Sequence, residues 1–126
     1  MQDQPNPGEV LGAVAEFLRS TVIPKADPLV AFQTRVAVNA LEMMRRQLEL
    51  GPAAGAAELE RLQAILGHAG NLADLNAELA GKIAAGEVDL ETAGLRDHLW
   101  RTTLDKLAVD QPSYAAYRAA QSEHGQ

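Results

Sequence analysis

The stretch DPLVAFQTRVAVNALEMMRRQLELGP, Asp27–Pro52, decides the fold. Asp27 is a good helix cap, and Pro28 suits the first helical position, where no backbone N–H is needed. Gly51 followed by Pro52 reads as a C-terminal glycine and a breaker, which predicts a helix ending at about Leu50. At about 100° per residue, Leu29, Phe32, Val36, Ala37, Ala40, Leu41, Met43, Met44 and Leu48 cover roughly half the circumference. Arg35, Asn39, Glu42, Arg46 and Glu49 share the narrow polar stripe that remains. An apolar arc this wide predicts a central helix with more apolar surface than one bundle needs. Gln33 and Gln47 project into the arc, near its two ends, where each could satisfy a neighbouring cap or meet another subunit.

The flanking segments read the same way. Asn6-Pro7-Gly8-Glu9 has the layout of a capping box, with Val10, Leu11, Val14, Phe17 and Leu18 on the predicted inner face and Pro24 as the stop. Residues 51–57 are weakly specified, either a loop or the start of a third helix over Glu58–Leu66 that Gly67 and Gly70 end. Asn71 caps a fourth helix with Leu72, Leu75, Leu79 and Ile83 as its stripe and Gly86 as its stop signal. Gly81 inside it either admits a close neighbour or is merely tolerated. A turn through Glu87–Glu91 leads to a fifth helix ending near Val109. There Leu99, Trp100, Thr103, Leu104 and Leu107 face inward, and Asp97, Arg101 and Asp105 form an outward ladder. Pro112 breaks it, and Ser113–Ala120 makes a short last helix. No stretch alternates with period 2. The expectation is an all-α, single-domain bundle over 1–126, with five amphipathic helices, a short C-terminal helix and no strands. Its ordered core would span 6–120, with 1–5 and 121–126 frayed.

Composition agrees. The 126 residues include 23 Ala and 17 Leu against 3 Ile and 8 Val, the balance of a helical chain. The chain has no cysteine, so thiolate catalysis, zinc fingers and iron–sulfur ligation are excluded. A net charge of −6 opposes binding to a phosphate backbone or an anionic membrane. No apolar run reaches the length of a membrane span, and the start of the chain lacks the pattern of a secretory signal, so the cytoplasm is the expected location.

Sites of chemistry are hard to find in this pattern. Ile65, Leu95 and Gln121 stand three residues before His68, His98 and His124, so the Glu-x-x-His pairs of a di-iron bundle are lacking. His68 falls in a Gly-rich turn, His98 on the polar flank of the fifth helix and His124 in the tail, all read as solvated. No Gly-x-Ser-x-Gly elbow occurs. Gly67-His68-Ala69-Gly70 could cradle an anion, but no Lys follows it and Asp74 would repel the ligand. The carboxylate pairs Asp74/Glu78, Glu58/Glu60 and Glu87/Asp89/Glu91 fall on outer faces or turns, where nothing separates their pKa values. Asp110 closes the fifth helix, either as a cap or as a partner for Arg35 or Arg118. Trp100, Tyr114 and Tyr117 collect three of the five aromatics in the last third, the best candidate for a partner surface. No cofactor and no metal is expected.

Three segments carry a resemblance: Phe32-Gln33-Thr34-Arg35-Val36-Ala37-Val38-Asn39-Ala40-Leu41, then Leu48-Glu49-Leu50-Gly51, then Lys106-Leu107-Ala108-Val109-Asp110-Gln111-Pro112 with Tyr114. Gln4-Pro5 and Glu16-Phe17-Leu18 add to it. In these the chain resembles a family of small bacterial proteins of unknown function. Members are often encoded beside an acyl-CoA dehydrogenase and an aminoglycoside-phosphotransferase-like kinase. The resemblance implies an accessory role near acyl-CoA metabolism and carries over no catalytic residue. It raises Arg35, Asn39, Asp110 and Tyr114 as structural or partner-contact positions. The leading expectation is therefore a non-enzymatic accessory protein that forms a homodimer, binds a partner enzyme, or both. A bundle binding an acyl chain or acyl-CoA comes second, with a cavity among helices two, four and five and Arg35 or Arg46 at its mouth. An enzyme comes last.

Overall fold

The computed structural model describes residues 4–124, all helices and turns, with no strand among them. The fold is all-α. The helices are α1 (Pro7–Phe17), α2 (Pro28–Leu66), α3 (Leu72–Ala84), α4 (Leu95–Asp110) and α5 (Ala115–His124). The chain divides into two compact units, Met1–Gly51 and Pro52–Gln126, with the residues of α2 shared between them.

The capping chemistry is as the sequence predicts. Asn6 Oδ1 accepts from the Glu9 amide and Glu9 Oε2 from the Asn6 amide, both at 2.9 Å. Asp27 Oδ1 accepts from the Val30 amide at 3.0 Å and Asn71 Oδ1 from the Asp74 amide at 2.8 Å. Each bond satisfies a donor that the first helical turn leaves open. After Phe17 the helix widens rather than stopping: the Ile23 amide reaches back to the Leu18 carbonyl in a π-turn over Leu18–Val22. Pro24, which has no N–H, then sits in a single 3₁₀ turn, Ile23–Lys25.

The largest departure is α2. It runs unbroken for 39 residues with Pro52 inside it, so the expected stop at Leu50, the loop at 51–57 and the separate third helix are all corrected. Pro52 removes one hydrogen bond and crowds the preceding turn. Ala53, Ala54, Ala56 and Ala57, however, are the best helix formers and carry the helix on. The tail is also longer than expected, because 121–124 belong to α5; residues 1–3 and 125–126 of the expected frayed ends lie outside the described residues.

Four inner faces turn out differently from the expectation, that of α3 by one residue, Ile83, which is exposed. On α1, Leu11, Ala15 and Leu18 are covered, while Val10, Val14 and Phe17 are exposed. The aliphatic stem of Arg45 lies across Gly8 and Gly12, so small residues set that face. On the first part of α2 the covered positions are Ala31, Thr34, Val38, Leu41, Glu42, Arg45 and Arg46. The larger residues Leu29, Phe32, Val36, Met43, Met44 and Leu48 are exposed. On α4 the buried residues are Leu95, His98 and Val109, with Thr102 half-buried, whereas Leu99 and Trp100 are exposed. The second unit has a core of Leu62, Leu75, Leu79 and Leu95, joined by half-buried Leu59, Ile65, Leu66, Leu72 and Val88.

Candidate functional site

Two polar arrangements stand out, one in each unit. In the first unit α1 and α2 run side by side, joined by a ladder of charge. Glu42 Oε2 accepts from Arg45 Nη2 at 2.7 Å and from Arg45 Nε at 3.1 Å. Arg19 Nη2 stands 3.7 Å from Glu42 Oε1, and Arg19 Nη1 is 3.0 Å from Glu16 Oε2. Arg45 Nη1 also reaches Glu49 Oε2 at 3.7 Å. The bond from Arg45 holds the Glu42 carboxyl below the usual carboxylate range, against a smaller opposing effect of burial. These side chains, with Asn6, Pro7, Gly8, Glu9, Gly12 and Leu48, line an open groove of about 870 Å³. Four carboxylates and two guanidiniums face it, so an anionic ligand meets a net negative wall.

In the second unit His98 is only 2% exposed, which overturns the expectation of a solvated histidine. Arg61 Nε donates to His98 Nδ1 at 3.3 Å, and Arg61 Nη2 donates to Thr102 Oγ1 at 3.2 Å. A guanidinium can only donate, so Nδ1 carries the lone pair and the ring proton sits on Nε2. Burial, reinforced by the Arg61 charge, lowers the His98 pKa below its usual value of 6.5. The ring is thus a neutral, hydrogen-bonded core histidine with its lone pair occupied, not a poised base or a metal ligand. Among the described residues no cluster of three or more His, Cys, Asp or Glu could hold a metal ion. His68 is exposed, with Nε2 at 2.8 Å from Glu78 Oε2 and Nδ1 at 2.9 Å from the Ala69 carbonyl. The carbonyl bond first, then Glu78, raises its pKa. The His124 side chain lies outside the described residues.

The residues singled out in the sequence fall in both units. Arg35 and Asn39 are exposed one turn apart on α2 in the first unit. In the second, Asp110 is the exposed last residue of α4, and Trp100 and Tyr114 are exposed. Tyr114 precedes α5, where its carbonyl accepts from the Arg118 amide at 3.0 Å. Tyr117 is buried on α5, with its hydroxyl accepting from Gln121 Nε2 at 2.6 Å. The outward pair Asp97–Arg101 is formed, at 2.9 Å. Arg61, Thr102, Arg19 and Arg45 were missed. The signal for Thr102 was the spacing Leu95, His98, Thr102, Val109, which is a helix face once His98 is allowed inside; Arg61, 37 residues before His98, left none.

What these features define is an all-helical protein whose buried polar groups are paired with one another and whose apolar side chains are partly left uncovered. The chain belongs to a domain family of unknown function, DUF6285, whose model matches residues 24–114. No curated protein and no solved structure matches it. No helix among the described residues is long and apolar enough to cross a membrane.

Proposed function

We propose that the chain is a non-catalytic accessory protein that docks on a partner enzyme in the cytoplasm. The candidate partners are the acyl-CoA dehydrogenase and the aminoglycoside-phosphotransferase-like kinase that the family resemblance implies. The observation that carries this reading is Trp100, the single tryptophan, 46% exposed on the outer face of α4. A large aromatic held on a rigid helix loses little freedom on docking, and such residues dominate interface energetics. Leu90, Leu99 and Tyr114 in the same unit are exposed as well. The acyl-ligand reading draws less support. The groove in the first unit is lined by Arg19 and Arg45, not Arg35 or Arg46, and its four carboxylates disfavour a phosphate-bearing ligand.

Co-purification of the tagged chain with each of the two enzymes tests the proposal. The expected result is a stable complex with one of them, weakened at least about tenfold by Trp100→Ala. Co-elution with neither enzyme, or a complex indifferent to Trp100→Ala, overturns it.

A further inference from the structure

The first unit exposes a second apolar surface, unrelated to Trp100. Leu29, Val36, Met43 and Leu50 recur every seventh residue of α2, and all four are exposed. Phe32, Asn39 and Arg46 fall at the alternate positions, three residues after Leu29, Val36 and Met43 in turn. A repeat spaced 3, 4, 3, 4 is the seam of a coiled coil. The stripe lies opposite the face, Ala31, Val38, Leu41 and Arg45, that is covered within the unit. Leu29 is 65% and Phe32 62% exposed, so the two largest residues near its start are the least covered.

We infer that this segment of α2 docks antiparallel on the same segment of a second copy of the chain. The first argument is symmetry. Reversed about the Asn39–Ala40 step, Leu29 meets the partner's Leu50 and Val36 meets the partner's Met43. Small Ala40 lies at the axis, where two helix backbones come closest. A two-fold pair requires a self-complementary surface of this kind. The second argument is charge. Arg35 and Glu49 are exposed along one edge of the stripe, with Glu42 on the same edge turned toward Arg19 and Arg45, and antiparallel helices bring like edges together. Each Arg35 then lies level with the partner's segment between Glu42 and Glu49. A parallel pair would instead set Arg35 beside the partner's uncharged edge, Gln33, Ala40 and Gln47, and Arg46 beside the partner's Arg46 in the seam. The third is area. Leu29, Phe32, Val36, Met43 and Leu50 expose on the order of 450–500 Å² together; with Asn39, Ala40 and Gln47 added, each copy offers about 600 Å², the low end of the ~1,200–2,000 Å² total of a stable interface. The docking also answers a deficit, since among the described residues of the first unit only Ala15, Ala31 and Val38 are buried.

The experiment uses the full chain with no other protein present, so its outcome is separate from that of the enzyme-docking reading. Light scattering coupled to size exclusion at micromolar concentration is expected to give a dimer. Val36→Glu with Met43→Glu should weaken it by more than about tenfold while circular dichroism keeps the helical signal. Because the chain has no cysteine, single thiols report the geometry. Ala40→Cys should cross-link to itself, and a mixture of Leu29→Cys and Leu50→Cys should cross-link to each other. Leu29→Cys alone should not, since the two sulfurs would stand about 30 Å apart along the axis. Arg35→Glu should weaken the dimer, and Glu49→Arg in the same chain should restore it. A monomer overturns the inference, as does self-cross-linking of Leu29→Cys or a dimer unaffected by Val36→Glu with Met43→Glu.

Discussion

The two units use similar residues in opposite ways. The second buries Leu62, Leu75, Leu79 and Leu95 against one another and closes a polar triad, Arg61, His98 and Thr102, beside them. The first buries alanines and one valine, ties its two helices with Arg19, Glu42 and Arg45, and leaves Leu29, Phe32, Val36 and Phe17 outside. Apolar content therefore does not predict the core. What matters is whether the large side chain or its small neighbour faces the adjoining helix. A unit sealed by alanine, glycine and ion pairs keeps its large residues for something else.

The comparison breaks most sharply on two truncations. Leu75 is 2% exposed, and Leu75→Ala should cost about 2–5 kcal/mol through lost burial and a cavity. Phe32→Ala removes more carbon from a mostly exposed site and should move the stability of the dilute chain by less than about 0.5 kcal/mol. Urea unfolding at low protein concentration checks both. Equal effects would mean that the first unit is covered as tightly as the second. Pro52→Ala comes next. It restores a helix hydrogen bond at the junction of the units and relieves the clash with the preceding turn. Against this stands the lost rigidity of the unfolded chain, so the net gain should be about 1–2 kcal/mol, read as a higher melting temperature.

These positions also show what could be read in the sequence. Helix starts were legible because capping is local: Asn6 with Glu9, Asp27 with Val30 and Asn71 with Asp74 lie within one turn of each other. The continuity of α2 was not, because Gly51-Pro52 is a stop signal that the following alanines override. The inner faces of α1 and α4 were hidden for a different reason. Gly8 and Gly12 count for nothing on a hydrophobic wheel, yet they admit the stem of Arg45. His98 counts as polar, yet Arg61, 37 residues earlier, supplies its partner. Long-range pairing of this kind leaves no mark in local periodicity.

The units should also part company with pH. His98 has a lowered pKa, from burial first and the Arg61 charge second. The unfolded chain takes up that proton near pH 6.5 and the folded one only lower, so the contribution is full above 6.5 and is lost as pH falls through the folded value. His68 has the opposite sign. Its raised pKa gives a contribution present below 6.5 and lost as pH rises through the folded value, kept small because the pair is exposed. Glu42, lowered chiefly by its bond to Arg45, holds the first unit until pH falls below the ordinary 4.5. Trp100 fluorescence, which reports the second unit alone, should therefore show stability declining as pH falls below 6.5, before Glu42 takes up its proton. His98→Gln keeps an acceptor for Arg61 and should flatten that slope. An unchanged slope would place the sensitive group elsewhere.

The smallest effect tests whether a helix of the well-packed unit still has slack. Gly81 sits inside α3, is exposed, and a Cβ there would meet nothing within 4 Å. Of the two readings its sequence position allows, the structure favours toleration over close packing. Glycine at such a site leaves the unfolded chain more freedom than alanine and offers no contact in return. Gly81→Ala should then stabilise the chain by about 0.5–1 kcal/mol, a shift of a few degrees in melting temperature. The same change at Gly94, whose φ of +86° lies in the left-handed region, should destabilise instead, because a Cβ is disfavoured there. Opposite signs at these two glycines would show that backbone conformation, not crowding, decides where the second unit needs glycine. Destabilisation at both would mean that something covers α3 at Gly81.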